Sequence, residues 1–191
     1  MVKGKGQKGK SSIAINQQLI ISGVGGQGVL FITRLLAETA IALGLPVLTS
    51  ETHGMAQRGG IVISHLKVGD YSSPLVRPGQ ADGLIALKLE CVALHRHFLR
   101  KDGWIVANAP AISIVEDENP VATIDADPIA LSIGDPRSVN LILLGHALAQ
   151  PGRLFCSGAS IEEAICRKSA GKKARAENAL TALRGGLNAV I

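Results

Sequence analysis

Aromatic residues are scarce in this chain: three Phe, one Tyr and one Trp among 191 residues, or 3%. That scarcity argues against the stacked-ring platforms on which single-stranded nucleic acids are bound. It also requires an aliphatic core, which an apolar content of 47% supplies. Cysteine is equally sparse. Cys91, Cys156 and Cys166 are odd in number, far apart and without a C-x-x-C run. This argues against a disulfide framework or an iron–sulfur ligand set within the chain, and suits reduced thiols. No stretch approaches the ~18 uninterrupted apolar residues of a membrane span. The lysines near the start are followed by no apolar segment of the signal-peptide kind. The expectation is a soluble cytoplasmic protein with no membrane partner. Signatures of self-sufficient catalysis are missing too: there is no G-x-S-x-G, no H-E-x-x-H and no G-x-x-x-x-G-K-[ST]. No catalytic residue and no metal site is predicted. His95 and His97, two apart on one helix, point to different faces and read as surface or interface residues.

A uniformly basic surface is also lacking. The net +5 divides into +4 over residues 1–10, +5 from Arg167 onward, and hence −4 for the body between them. A nucleic-acid groove needs a basic stripe on the folded surface, and none is predicted. Residues 1–12, rich in Gly, Lys and Ser, read as a disordered basic tail; 13–191 read as one domain.

What the chain does have is glycine in a telling place. Gly23-Val24-Gly25-Gly26-Gln27-Gly28 follows the apolar run Leu19–Ser22, a first strand, and opens a helix over Gln27–Leu43. Each glycine has an expected role, with Gly23 making the turn, Gly25 allowing close approach to a ligand and Gly28 packing helix on strand. The helix start offers free N–H groups to a phosphate or carboxylate. The helix should bury a stripe of Leu30, Ile32, Leu35, Leu36, Thr39, Ala40 and Leu43 and stop at Gly44 and Pro46. A second strand, Val47–Ser50, ends at Glu51, where a nicotinamide-binding fold places a ribose-binding acid. A polar, glycine-punctuated loop follows, then the β-rich run Ile61–Val68, read as a hairpin or edge strand.

Further on, Leu84–Leu87, Ile105–Ala107 and Val121–Asp125 read as strands. Glu90–Arg100, Val139–Ala149 and a basic segment of about 172–188 read as helices. Asp127 is expected to cap a short helix, and Ser160-Ile161-Glu162-Glu163 to be a capping box. The fold class is α/β: three layers, Rossmann-like, a mostly parallel sheet with helices on both faces and one hairpin or antiparallel edge.

The pairing of Gly23–Gly28 with His53-Gly54-Met55-Ala56-Gln57-Arg58-Gly59-Gly60 resembles the gamma subunit, or domain III, of the 2-oxoacid:ferredoxin oxidoreductases. The His-Gly-Met-x-Gln-Arg form is most similar to the small (beta) subunits of the indolepyruvate type. Ala81–Leu87, Leu89–Leu94, Lys101–Asn108 and Ser138–Gly145 continue the resemblance. It implies a subunit of an oxidoreductase, inactive by itself, whose thiamine diphosphate and iron–sulfur (4Fe–4S) clusters sit on a larger partner chain, with ferredoxin served through the complex. In that setting Gly23, Gly25, Gly26, Gln27 and Gly28, together with Arg58, Gln57 and His53, are the candidate cofactor-binding residues. Their anion would be a phosphate of coenzyme A or a charged surface of the partner. Three alternatives remain: a pyruvate- or 2-oxoglutarate-type subunit, a stand-alone NAD(P)-dependent dehydrogenase favoured by Glu51, and a nucleic-acid or scaffold protein favoured by the basic ends. A homodimer of the isolated chain is compatible with all of them.

Overall fold

A computed structural model of the chain describes residues 15–53, 60–110, 118–169, 171 and 173–189. Its elements run β1 (Gln17–Val24), α1 (Val29–Ala42), β2 (Val47–His53), β3 (Ile61–Val68), β4 (Ala81–Ala86), α2 (Glu90–His95), β5 (Leu99–Asn108), β6 (Val121–Ile124), α3 (Ala126–Ser132), α4 (Val139–Ala149), α5 (Gly158–Lys168) and α6 (Lys173–Asn188). Short 3-10 turns occupy Arg96–Phe98 and Pro136–Ser138. The expected basic tail at 1–12 lies outside the described residues.

The sheet has the order β2-β3-β1-β4-β5-β6. β1, β4, β5 and β6 pair in parallel, while β3 is antiparallel to both β1 and β2. Among the described residues, therefore, five strands share a direction and β3 opposes them. The run Ile61–Val68, expected to be a hairpin turning at Gly69-Asp70 or an edge strand, instead pairs with the preceding β2, which takes the edge, and no strand follows that turn before β4. β3 folds back between β2 and β1, so its Leu66 and Val68 are fully buried.

β1 is the hub. Leu19, Ile20 and Ile21 have no exposed surface, because alternate side chains of a strand enter opposite cores. Leu19 and Ile21 join the core beneath α1 and α3–α6; Ile20 joins a smaller one beneath α2 and Val76. Burying each is worth about 1.5–3 kcal/mol.

α1 begins at Val29, two residues later than expected, since Gly28 takes the left-handed φ of 87° that ends the bend. Its buried face holds Ile32, Leu35, Leu36, Thr39 and Ala40 as predicted, but Leu43 is 47% exposed at the cap. The helix closes as expected at Gly44, φ 74°. Gly44 N–H donates to the Ile41 carbonyl and Leu45 N–H to that of Ala40, the paired bonds of a Schellman motif.

Three further expectations are corrected. The cap of α5 is Ser157, whose hydroxyl accepts from Ser160 N–H, rather than Ser160. α3 is preceded by Asp125, and Asp127 in its first turn accepts instead from Asn108. The helix predicted over Glu90–Arg100 gives way to a 3-10 turn and then to β5 at Leu99. The last helix packs on the domain, not away from it. A Cβ on Gly186 of α6 would lie 1.8 Å from the Ile142 carbonyl oxygen, and one on Gly145 of α4 would lie 2.1 Å from that of Leu183. Only glycine allows these two backbones to approach so closely.

Candidate functional site

The glycine bend leaves the carboxyl end of β1, beside the point where the sheet changes from the antiparallel β3 to the parallel β4. In open α/β sheets such a point is where ligands gather. Gly23 is walled in: a Cβ there would meet Gln27 Oε1 and Leu87 Cβ, both at 2.9 Å. Gln27 is turned inward. Its Oε1 accepts from Val24 N–H at 2.7 Å, its Nε2 leans on the Leu87 carbonyl at 3.5 Å, and its own N–H donates to the Val24 carbonyl. Gln27, expected at a ligand, holds the bend together.

Gly25 also departs from its expected role. Its N–H donates to the Gly60 carbonyl at 2.8 Å, directly above the Val24–Ile61 pair of the β1–β3 ladder. This bond ties the bend to the end of the loop between β2 and β3. Gly26 (φ 96°) is exposed and has open space around its Cα. Among the described residues, the N–H groups of Gly26 and Gly28 donate to no partner. The first-turn amides of α1 have no intrahelical acceptor either, and no acid sits in that turn. The bend therefore presents donors and a positive dipole end to an anion.

Gln57 and Arg58 lie outside the described residues. His53 is the last residue of β2, with its backbone opposite Val62; its side chain is likewise outside the description. The two ends of their loop are placed: β2 delivers it to His53, and Gly60 returns it to Gly25. Glu51 is not where a ribose-binding acid belongs. It pairs with Ser64, which pairs with Ile21. It is thus one intervening strand away from β1, about 10 Å across the sheet, and level with the middle of β1 rather than its carboxyl end. This geometry weighs against the nicotinamide alternative.

Sequence reasoning missed two groupings that sit against the bend. Asn140, at the start of α4, is only 7% exposed. Its Oδ1 accepts from Leu141 N–H, and its Nδ2 stands where a Cβ of Gly28 would be, 2.0 Å away. Gly28 thus admits α4 as well as packing α1 on the sheet. On the opposite face, the fully buried Ser22 hydroxyl is 3.0 Å from His95 Nδ1 and 3.2 Å from the Val62 carbonyl. With the hydroxyl proton on that carbonyl, the imidazole is the donor. His95 is therefore a tether from α2 to β1, not a plain surface residue; His97 is exposed and contacts the Leu94 carbonyl. Burial lowers the His95 pKa, a bond to the Cys91 backbone opposes this, and nearby His97 adds to the lowering. Burial likewise pushes the Cys91 thiol up, so neither group is primed as a nucleophile. Only spatial proximity, seventy-three residues apart in sequence, reveals the pair.

Among the described residues no three His, Cys, Asp or Glu side chains gather to hold a metal. Cys91 is buried on α2, Cys156 half-buried and Cys166 exposed on α5, so they do not form a cluster-binding set. Among the described residues no helix is long and apolar enough to cross a membrane.

The pattern of the pyruvate ferredoxin/flavodoxin oxidoreductase family matches residues 18–189. The chain belongs to that family. Among relatives of this oxidoreductase chain, indolepyruvate oxidoreductase subunit IorB of Archaeoglobus fulgidus is 43% identical over 94 residues, 49% of this chain and 47% of that one. The subunit of the same name from Methanothermobacter thermautotrophicus is 29% identical over 72% of this chain and 81% of its own length. That from Pyrococcus horikoshii is 30% identical over 70% and 77%. In fold, the chain is similar to a keto/oxoacid ferredoxin oxidoreductase gamma subunit from Geobacter sulfurreducens, with TM-score 0.70, 22% identity and coverage of 91% and 99%. It is also similar to a 2-oxoglutarate:ferredoxin oxidoreductase from Magnetococcus marinus, solved with 2-oxoglutarate, coenzyme A and succinyl-CoA. There the TM-score is 0.73 at 19% identity, covering 92% of this chain and 32% of that one.

Proposed function

We propose that this chain is the small subunit of a 2-oxoacid:ferredoxin oxidoreductase of the indolepyruvate type. The observation that carries the reading is its similarity to subunits named for indolepyruvate over 81% and 77% of their lengths. In the reaction, an aryl 2-oxoacid and coenzyme A yield the acyl-CoA and carbon dioxide, and two electrons pass to ferredoxin. Carbanion and electron chemistry belong to thiamine diphosphate and iron–sulfur clusters, which this reading places on a larger partner chain. The chain's own cysteines do not suit a cluster.

The small subunit's part is to present anion-binding groups at the mouth of the site. Gly26, Gly28 and the start of α1 offer N–H donors. Gly25, bonded to Gly60, anchors the loop whose Arg58 supplies a forked cation for a phosphate or carboxylate. His53 and Gln57, from the same stretch of sequence, are weaker candidates for the same anion. Gly23 and Gln27 hold the bend in shape. Coenzyme A is the anion this arrangement serves, and ferredoxin is reached through the assembled enzyme in the cytoplasm.

The test is to co-express the chain with its larger partner and compare indolepyruvate, pyruvate and 2-oxoglutarate in coenzyme A-dependent ferredoxin reduction. Indolepyruvate should give the highest kcat/KM, and Arg58→Gln should raise the KM for coenzyme A about tenfold, equivalent to ~1.4 kcal/mol. A preference for pyruvate or 2-oxoglutarate would move the chain to another branch of the family. An unchanged KM in Arg58→Gln would remove Arg58 from the site.

A further inference from the structure

The two edges of the sheet are finished differently. β6 has four residues and follows Pro120, and short, proline-flanked edges resist further pairing. β2 has seven, Val47–His53, paired along its whole length to β3 without a bulge. It contains no Lys and no Pro, and Glu51 is its single acid. The strand thus lacks the devices that ordinarily keep an exposed edge from pairing. The ladder also fixes which main-chain groups face outward. Gly69 N–H donates to the Pro46 carbonyl, so every second residue from there, Leu48, Ser50 and Thr52, turns its N–H and C=O toward β3. Val47, Thr49, Glu51 and His53 turn theirs outward, and among the described residues these groups meet no partner. At the end of α1, just before the turn into β2, Ile41 and Leu43 are 65% and 47% exposed.

This edge is complementary to itself. When two copies are set antiparallel about a twofold axis at Ser50, Val47 of one faces His53 of the other, and Thr49 faces Glu51. Each outward N–H and C=O then finds a partner in a closely spaced pair. No like charges stand directly opposite each other. An axis at Thr49 would leave His53 unpaired, and an axis at Glu51 would set two carboxylates face to face. In the Ser50 register the remaining positions place Ser50 opposite Ser50 and Leu48 opposite Thr52. A twofold contact is closed, and the blunted β6 ends each sheet, so assembly stops at two copies.

We propose that β2 pairs with β2 of a second copy of this chain, joining the two six-stranded sheets into one. The contact is made by main-chain groups and flanked by Ile41 and Leu43. Its small area places it among weak, reversible interfaces, with a dissociation constant on the order of 1–100 µM. It depends neither on the identity of the 2-oxoacid nor on Arg58.

Sedimentation equilibrium of the full chain from about 1 µM to about 1 mM should show monomer giving way to dimer, with slowed hydrogen exchange at the Thr49 and Glu51 amides in the dimer. Thr49→Pro removes an N–H that the fold does not use and should weaken association about tenfold or more; an unchanged thermal transition checks that the monomer is intact. Ser50→Cys, in a Cys166→Ser background that removes the exposed thiol, should cross-link under copper phenanthroline. Residues facing each other in a widely spaced pair stand about 4.5 Å apart at Cα, within reach of a disulfide. Leu48→Cys in the same background, about 14 Å from its own counterpart in this register, should not. A monomer at the highest concentration, association indifferent to Thr49→Pro, or cross-linking of Leu48→Cys as ready as that of Ser50→Cys would each overturn the pairing. Should Thr49→Pro fail to fold, amide exchange and the two cysteine variants still decide.

Discussion

Gly28→Ala isolates the way the bend is assembled. Gly28 has φ 87°, and a Cβ there would lie 2.0 Å from Asn140 Nδ2. Holding alanine in the left-handed region costs about 1–2 kcal/mol. Displacing Asn140 adds about 1–3 kcal/mol of overpacking, and losing its bond to Leu141 N–H adds ~1 kcal/mol. The expected loss is about 3–6 kcal/mol. Gly26 has a similar φ, 96°, with nothing within 4 Å of its hypothetical Cβ, so Gly26→Ala should lose only the ~1–2 kcal/mol of backbone strain. Asn140→Ala removes the clashing atoms and leaves a Cβ at 3.7 Å from the new methyl group. In that background Gly28→Ala should cost no more than Gly26→Ala. Urea denaturation of the three single variants and of the Gly28→Ala/Asn140→Ala combination measures this as a double-mutant cycle. Equal losses for Gly26→Ala and Gly28→Ala, or no coupling with Asn140, would refute the reasoning.

Acid should weaken the fold through its buried histidines. His65, His95 and His146 are each lowered chiefly by burial; His95 and Lys67 lower His65 further, His97 lowers His95, and Arg153 lowers His146. The unfolded chain then binds more protons below about pH 6.5, so stability is full above that value and falls as pH drops, by at most ~1.4 kcal/mol per pH unit for each histidine. Denaturation at about pH 7.5 and 5.5 checks the sign, and a flat or opposite trend would contradict it. His146 is buried, and among the described residues neither of its ring nitrogens has a hydrogen-bond partner, so His146→Leu should lessen the slope. Gly186→Ala should force α4 and α6 apart at a cost of about 3 kcal/mol or more, read as a lowered urea midpoint; a neutral effect would refute the close approach at Ile142. Asn108 donates to Asp127 and accepts from Ala126 N–H at the end of β5. Asn108→Ala should cost about 2–3 kcal/mol by the same assay, and a loss below ~0.5 kcal/mol would remove that link from the account.

Much of this fold is legible in sequence where the signal is local. The apolar run of β1, the period of α1, its stop at Gly44 and the glycine-rich bend are each set by residues within a few positions of one another. The place of β3 is not, because strand order depends on pairing across the sheet, and an alternating run reads alike at an edge or inside. Two serines three apart both fit a helix start, and the first of them, Ser157, takes the cap. Spacing assigns Gly25 to a ligand because it cannot show that Gly60 supplies the acceptor. The partners of Ser22 and Gly28 are His95 and Asn140, contacts that arise only after distant elements pack.

The most direct measurement is 2-oxoacid- and coenzyme A-dependent ferredoxin reduction by the purified chain, by its larger partner, and by the two together. The account predicts no turnover by the chain alone and full turnover only when both are present. Turnover by this chain unaided, or a partner equally active without it, would contradict it.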